Sequence, residues 1–124
     1  RLARERILFL VDLASPGAVG FRILPDYQPL ELIRSLREIE ERLDFDLVIP
    51  GHLDPTAPPE LLSVERKFYE DLMAAVGEAW RSGVRDPGEL ARRIRLPEYE
   101  SWAGYDEWLP LNVERAWAYY HMGW

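Results

Sequence analysis

The segment from Ile7 to His52 constrains the fold more than any other part of the chain. Ile7 to Val11 and Leu47 to Ile49 are short, continuous apolar runs, which are typical of buried β-strands. Between them, apolar residues recur at helical spacing, namely Leu30, Ile33, Leu36, Ile39 and Leu43. A strand, a helix and a second strand in this order predict a crossover unit and therefore an α/β fold.

Each predicted strand is followed by one residue that can bind a metal. Asp12 comes directly after the first strand, and His52 follows the second strand after Pro50 and Gly51. Because α/β proteins bind ligands at the carboxyl ends of their strands, we expect the two side chains to converge. The alternative is structural, since an aspartate after a strand is often a turn or cap residue and a Gly-His pair often lies in a loop.

Two ligands do not complete a catalytic metal site. A catalytic zinc ion normally has three protein ligands and a water molecule, and a pair of metals needs more. The other histidine, His121, lies at the far end of a predicted last helix, and the chain has no cysteine. From spacing alone, Asp12 and His52 are an incomplete constellation.

Three motifs extend this pattern: Phe9-Leu10-Val11-Asp12, the run from Gly20 to Asp26, and the run from Asp46 to His52. Together they resemble the second half of a metallo-β-lactamase-fold hydrolase. In that family the aspartate bridges two metal ions and the histidine of the Pro-Gly-His turn binds one of them. The resemblance therefore implies these roles for Asp12 and His52. Residues 96–115 are similar to the C-terminal tail of a subgroup of these hydrolases.

The resemblance implies a fold, a cofactor and a reaction. The fold would be half of an αββα sandwich, with few strands and a crossover helix, followed by a helical C-terminal region. The cofactor of the complete enzyme would be two zinc ions, with iron or manganese as alternatives, and the fragment alone could bind none. Hydroxide on the metal would attack an ester, thioester, lactone or amide in a small-molecule substrate. Arg22 and Tyr27 follow Asp12 and could approach this substrate, although a surface role is favoured for both.

The chain also departs from the family pattern. The His-x-His-x-Asp-His cluster of the first half is absent, and Leu53 stands where many members have a second glycine. We therefore expect the C-terminal portion of a longer enzyme, inactive as an isolated fragment. One alternative is a non-catalytic interaction module that pairs with a separate N-terminal half or with itself. Another is an acidic helical binding protein without metal ancestry.

The sequence predicts two parts of one domain. Residues 1–57 form the strand-helix-strand unit with the candidate ligands, and residues 58–124 form a helical extension. A long helix ending at Gly83 is predicted from one apolar face: Leu61, Val64, Phe68, Leu72, Val76 and Ala79. Its solvated side is predicted to hold Glu65, Arg66, Lys67, Glu70 and Asp71. Asp86 has the position of an N-cap for a short helix through Ile94.

The C-terminal region is rich in aromatic residues. Tyr99, Trp102, Tyr105 and Trp108 are predicted in an irregular stretch. A final helix is predicted to begin at Pro110. The other aromatic residues are predicted to lie on this helix or after it, namely Trp117, Tyr119, Tyr120 and Trp124. Anchoring of the irregular stretch on a helix is favoured over a role as a substrate wall.

Charge and hydropathy limit the possible partners. Twenty-two acidic and fifteen basic residues give a net charge of −7, which opposes attraction to nucleic-acid phosphates and anionic lipids. The absence of cysteine excludes disulfides and agrees with a cytoplasmic protein. Both faces of the strand from Ile7 to Val11 are apolar, so both should be covered. We expect the missing N-terminal half or a second copy of the chain to cover one of them.

Overall fold

The computed structural model describes residues 2–123, which form a mixed α/β arrangement of helices around a small sheet. The elements in chain order are β1 (Ile7–Phe9), α1 (Pro29–Arg42), β2 (Leu47–Ile49), α2 (Leu61–Arg81), α3 (Pro87–Arg93), a 3₁₀ turn (Pro97–Tyr99) and α4 (Tyr105–Met122). The predicted α/β class is confirmed at this level.

The sheet consists of β1 and β2, paired in parallel with Leu8 opposite Val48. Helix α1 makes the crossover between them and begins at Pro29, whose fixed φ suits a first helical position. The Gln28 side chain caps this helix by accepting a hydrogen bond from the Glu31 backbone N–H at 2.7 Å. The predicted strand-helix-strand unit is therefore present.

Strand β1 is shorter than predicted, and its two faces differ in burial. The Leu10 backbone N–H still donates to the Ile49 carbonyl at 3.0 Å, but the regular strand ends at Phe9. Leu8, Leu10 and Val48 lie in the hydrophobic core. On the opposite face, Phe9 is 47% exposed and Val11, just beyond the strand, is 61% exposed. Within residues 2–123, the helices therefore cover one face and leave the other open.

Helix α2 is the central helix, because it packs against both α1 and α4, and α4 also packs on α3. The Arg66 guanidinium forms an ion pair with Glu40 of α1 at 3.1 Å, which joins α2 to α1, and it also pairs with Glu70 on its own helix.

The predicted faces of α2 were wrong at two positions. Glu65, predicted on the solvated side, is 2% exposed, and Val64, predicted on the core face, is 46% exposed.

Helix α4 begins at Tyr105, so the prediction that Pro110 opens it was wrong. Tyr105, Leu109 and Val113 recur at helical spacing and are buried, and this packing holds the first turns. Pro110 lacks an N–H and removes one backbone hydrogen bond from the helix, which the packing tolerates. Tyr105 and Trp108 are consequently helical, and Trp124 lies outside the described residues.

Two of the aromatic residues anchor the segment before α4, as predicted. The Tyr99 ring contacts the Phe68 ring of α2 at 5.1 Å between centroids, and the Trp102 ring contacts Tyr99 at 4.7 Å.

The predicted N-cap of α3 at Asp86 is also present, since its carboxylate accepts a hydrogen bond from the Glu89 backbone N–H at 2.6 Å. Every helix within residues 2–123 is too short or too polar to cross a bilayer.

Candidate functional site

The carboxylate of Asp12 and the imidazole of His52 meet at one edge of the sheet. Oδ1 of Asp12 is in direct contact with Nε2 of His52, although forty residues separate them in the chain. Parallel pairing of β1 with β2 causes this, because it brings the carboxyl ends of both strands to the same edge. Both side chains are more than half exposed, so a ligand can reach them.

The two loops that carry this pair bend through left-handed backbone. Asp12 has φ of 66°, which aspartate tolerates better than most residues, and Gly51 has φ of 94°. A Cβ at position 51 would lie 3.2 Å from the Val11 Cα, so glycine also allows the two loops to approach. Leu53 has φ of 68° and thus adopts the left-handed conformation that glycine adopts without strain.

The predicted site has two candidate ligands here and no third. Among residues 2–123, no group of three or more His, Asp or Glu side chains is placed to hold a metal ion. His121 lies elsewhere, stacked on Trp117 at 4.7 Å between ring centroids. Asp12 and His52 are therefore brought together as predicted, while their role as metal ligands stays a prediction.

A cavity of about 520 Å³ opens beside the Asp12–His52 pair. Its walls come mainly from the loop after Asp12 and from the helices that pack under that loop. The lining side chains are largely apolar or aromatic and include Ala14, Val19, Phe21, Leu24, Tyr27, Tyr69 and Trp108. Such a composition is typical of small-molecule pockets, in which a few polar groups set the orientation of the ligand.

Helix α4 holds the loop that forms this wall. The Asn112 amide donates to the carbonyl oxygens of Gly20 at 2.9 Å and Arg22 at 2.6 Å. The Arg115 guanidinium donates to the Tyr27 carbonyl at 2.9 Å, and the Tyr27 hydroxyl donates to the Asp12 carbonyl at 3.0 Å. The loop between residues 12 and 27 is therefore fixed at both its middle and its end.

Glu65 carries the buried carboxyl group of the cavity. Burial raises the pKa of its carboxyl to about 8, while hydrogen bonds from the Ser15 backbone N–H and the Tyr69 hydroxyl act in the opposite direction. Burial and the neighbouring Glu65 also raise the pKa of Tyr69 well above its usual range. Among the described residues, Oε2 of Glu65 has no hydrogen-bond partner.

Sequence reasoning missed Glu65 and Tyr69 as site residues. The position of Glu65 in the sequence could have indicated burial. Glu65 stands four residues after Leu61 and three before Phe68, so it lies on the same helix face as these two buried residues. Tyr27, for which a surface role was favoured, lines the cavity, whereas the Arg22 guanidinium lies over the Phe21 ring. Trp108 also lines the cavity, as the substrate-wall alternative for the aromatic residues would require.

Comparison with known proteins does not assign this chain to a family. No protein-family model matches this chain, and no curated protein matches its sequence.

Proposed function

We propose that this chain is the C-terminal portion of a metal-dependent hydrolase with the metallo-β-lactamase fold, in which Asp12 and His52 bind the metal. The observation that carries the proposal is the contact between the Asp12 carboxylate and the His52 imidazole at the carboxyl ends of paired strands. The adjacent cavity supports it, because a hydrolase needs a substrate pocket beside its metal.

The donor atoms fit the proposed metals. Carboxylate oxygen and imidazole nitrogen are ligands that suit zinc, iron and manganese. Asp12 and His52 supply two such ligands, and the proposal assigns the remaining ligands to an N-terminal half that also completes the αββα sandwich. Residues 1–57 would then be the metal-binding half-sandwich and residues 58–124 its helical extension, within a cytoplasmic enzyme.

Each group in the site has a defined task under this proposal. When bound, the two metal ions lower the pKa of a water molecule so that hydroxide is present near neutral pH. The Asp12 carboxylate and the His52 imidazole would hold these ions. The Tyr27 hydroxyl fixes the Asp12 backbone, and the aromatic cavity holds the body of an ester, thioester, lactone or amide.

One observation favours a second candidate function. The open sheet face, defined here as the exposed side chains of Phe9 and Val11, would suit a non-catalytic module that pairs with an N-terminal half or with a copy of itself. Sedimentation at micromolar concentration, with Val11→Glu as the comparison, tests self-pairing. A monomer that also fails to bind a hydrophobic dye would contradict this candidate.

Zinc titration followed by NMR of the imidazole nitrogens tests the metal proposal. We expect Zn²⁺ to shift the Nε2 signal of His52, and Asp12→Asn to weaken the effect by about tenfold or more. Asparagine is the suitable replacement because it tolerates the left-handed backbone at position 12. His121→Ala is the matched control and should leave the titration of His52 unchanged.

Two results would contradict the proposal. One is a His52 signal that does not move at millimolar zinc, and the other is an equal response in the Asp12→Asn variant. We also expect the isolated chain to hydrolyse esters and lactones no faster than buffer does. Turnover by the isolated chain that a chelator abolishes would show that the two ligands suffice and that no N-terminal half is needed.

A further inference from the structure

We propose that the cavity binds a ligand with a primary ammonium group on an apolar or aromatic body, and that the ammonium donates a hydrogen bond to the carboxylate of Glu65. This inference deepens the proposed function. It rests on that function only where the ligand is taken to be the substrate of the hydrolase. Binding itself needs no metal and can be measured on the chain alone.

The first support is an acceptor that lacks a donor. Glu65 lines the cavity, is 2% exposed, and has an Oε2 atom without a hydrogen-bond partner among residues 2–123. Such buried polar atoms are rare in folded proteins, because a missing hydrogen bond costs free energy. The carboxyl has the Ser15 backbone N–H and the Tyr69 hydroxyl beside it, yet its Oε2 atom stays without a partner.

The second support is the sign of the charges around the cavity. Its acidic lining residues are Asp12, Asp26 and Glu65, of which Glu65 becomes charged only when it releases its proton, and its described lining includes no lysine or arginine. A cation that enters is therefore attracted by the lining, whereas a carboxylate or phosphate is repelled. The net charge of −7 acts in the same direction at longer range.

The third support is the aromatic wall, which suits a cation attached to an apolar group. The Phe21 and Trp108 rings meet edge to face at 5.1 Å between centroids, and Tyr27 and Tyr69 also line the cavity. Ring faces attract organic cations and pack well against apolar groups. The cavity volume of about 520 Å³ accommodates a ligand the size of an arylalkylamine.

The test compares 2-phenylethylamine, which is cationic at neutral pH, with 2-phenylethanol, which has a similar shape and no charge. Calorimetry on the intact chain should show at least a tenfold preference for the amine, and NMR should map both probes to the Trp108 indole. We expect Glu65→Gln, which keeps the side-chain shape, to abolish the preference. Glu78→Gln, at an exposed position on the same helix and outside the cavity lining, should change it by less than about threefold.

Proton release is a second readout that a merely structural role for Glu65 would not produce. At pH 7 the amine should displace close to one proton from the Glu65 carboxyl into the buffer, and the alcohol should displace none. Buffers with different ionisation enthalpies measure this difference in wild-type protein, so the test survives if Glu65→Gln fails to fold.

Three results would overturn the inference. They are equal affinities of the wild-type chain for the two probes, an amine preference that persists in Glu65→Gln, and amine binding without proton release. Failure of the zinc titration would leave the inference standing, and failure of amine binding would leave the metal proposal standing. The two proposals are thus separable by experiment.

Discussion

Replacing Glu65 with glutamine should remove the loss of stability that its carboxyl causes as pH rises. In the folded chain the pKa of Glu65 is raised from 4.5 to about 8, so the folded state binds more protons than the unfolded state between these values. The free energy of unfolding therefore falls as pH rises from about 4.5 through about 8. The pKa difference corresponds to roughly 5 kcal/mol for a group that is almost fully buried.

Urea unfolding followed by tryptophan fluorescence measures this effect. At pH 5 we expect the wild-type chain and Glu65→Gln to have similar free energies of unfolding, because the carboxyl is protonated in the folded state. At pH 9 the variant should be more stable by roughly 5 kcal/mol, since its amide needs no ionisation. Other titrating groups occur in both proteins and largely cancel from the difference.

Glu78→Gln is the matched control, because Glu78 lies on the same helix and is exposed. This control should change the free energy of unfolding by less than about 0.5 kcal/mol at either pH, as surface substitutions usually do. A Glu65→Gln effect that is the same at pH 5 and pH 9 would refute the reasoning, because it would mean that the folded state ionises Glu65 at its ordinary pKa.

Two further substitutions test the backbone of the site. Gly51→Ala should destabilise the chain by about 1–3 kcal/mol more than Gly83→Ala in urea unfolding. Both glycines have a positive φ, but only at position 51 would a Cβ crowd Val11. Equal losses of stability in the two variants would contradict this crowding. Asn112→Ala should lower the free energy of unfolding by about 2–3 kcal/mol, because the carbonyls of Gly20 and Arg22 lose their donor. The Trp108 NMR signal should broaden as the loop loosens. An unchanged signal and an unchanged stability would show that these two hydrogen bonds, the Asn112 clamp, do not hold the loop.

The convergence of Asp12 and His52 could be predicted because it follows from topology. Two apolar runs with a helix between them imply parallel strands, and parallel strands place their carboxyl ends at one edge. The conformation of Leu53 could not be read in the same way, because leucine gives no local signal for left-handed backbone. Its φ of 68° lies in the left-handed region.

The buried carboxyl could not be recognised from residue type. Glutamate is almost never fully buried, so its charge outweighed its position on the apolar face of α2. The groups that surround Glu65 include the Ser15 backbone, fifty residues earlier in the chain. The start of α4 was misplaced for a related reason, since the tertiary burial of Tyr105 and Leu109 outweighs the local preference of proline for a first helical turn.

The clamp made by Asn112 has a consequence for the order of folding. It joins residues 90 and 92 positions apart, so the wall of the cavity depends on one of the most distant contacts in the chain. Closing such a loop costs chain entropy before the contact compensates for it. During synthesis, β1 and the Asp12 loop leave the ribosome long before α4 exists. We therefore expect the newly made chain to acquire a shaped binding cavity only when its last helix docks.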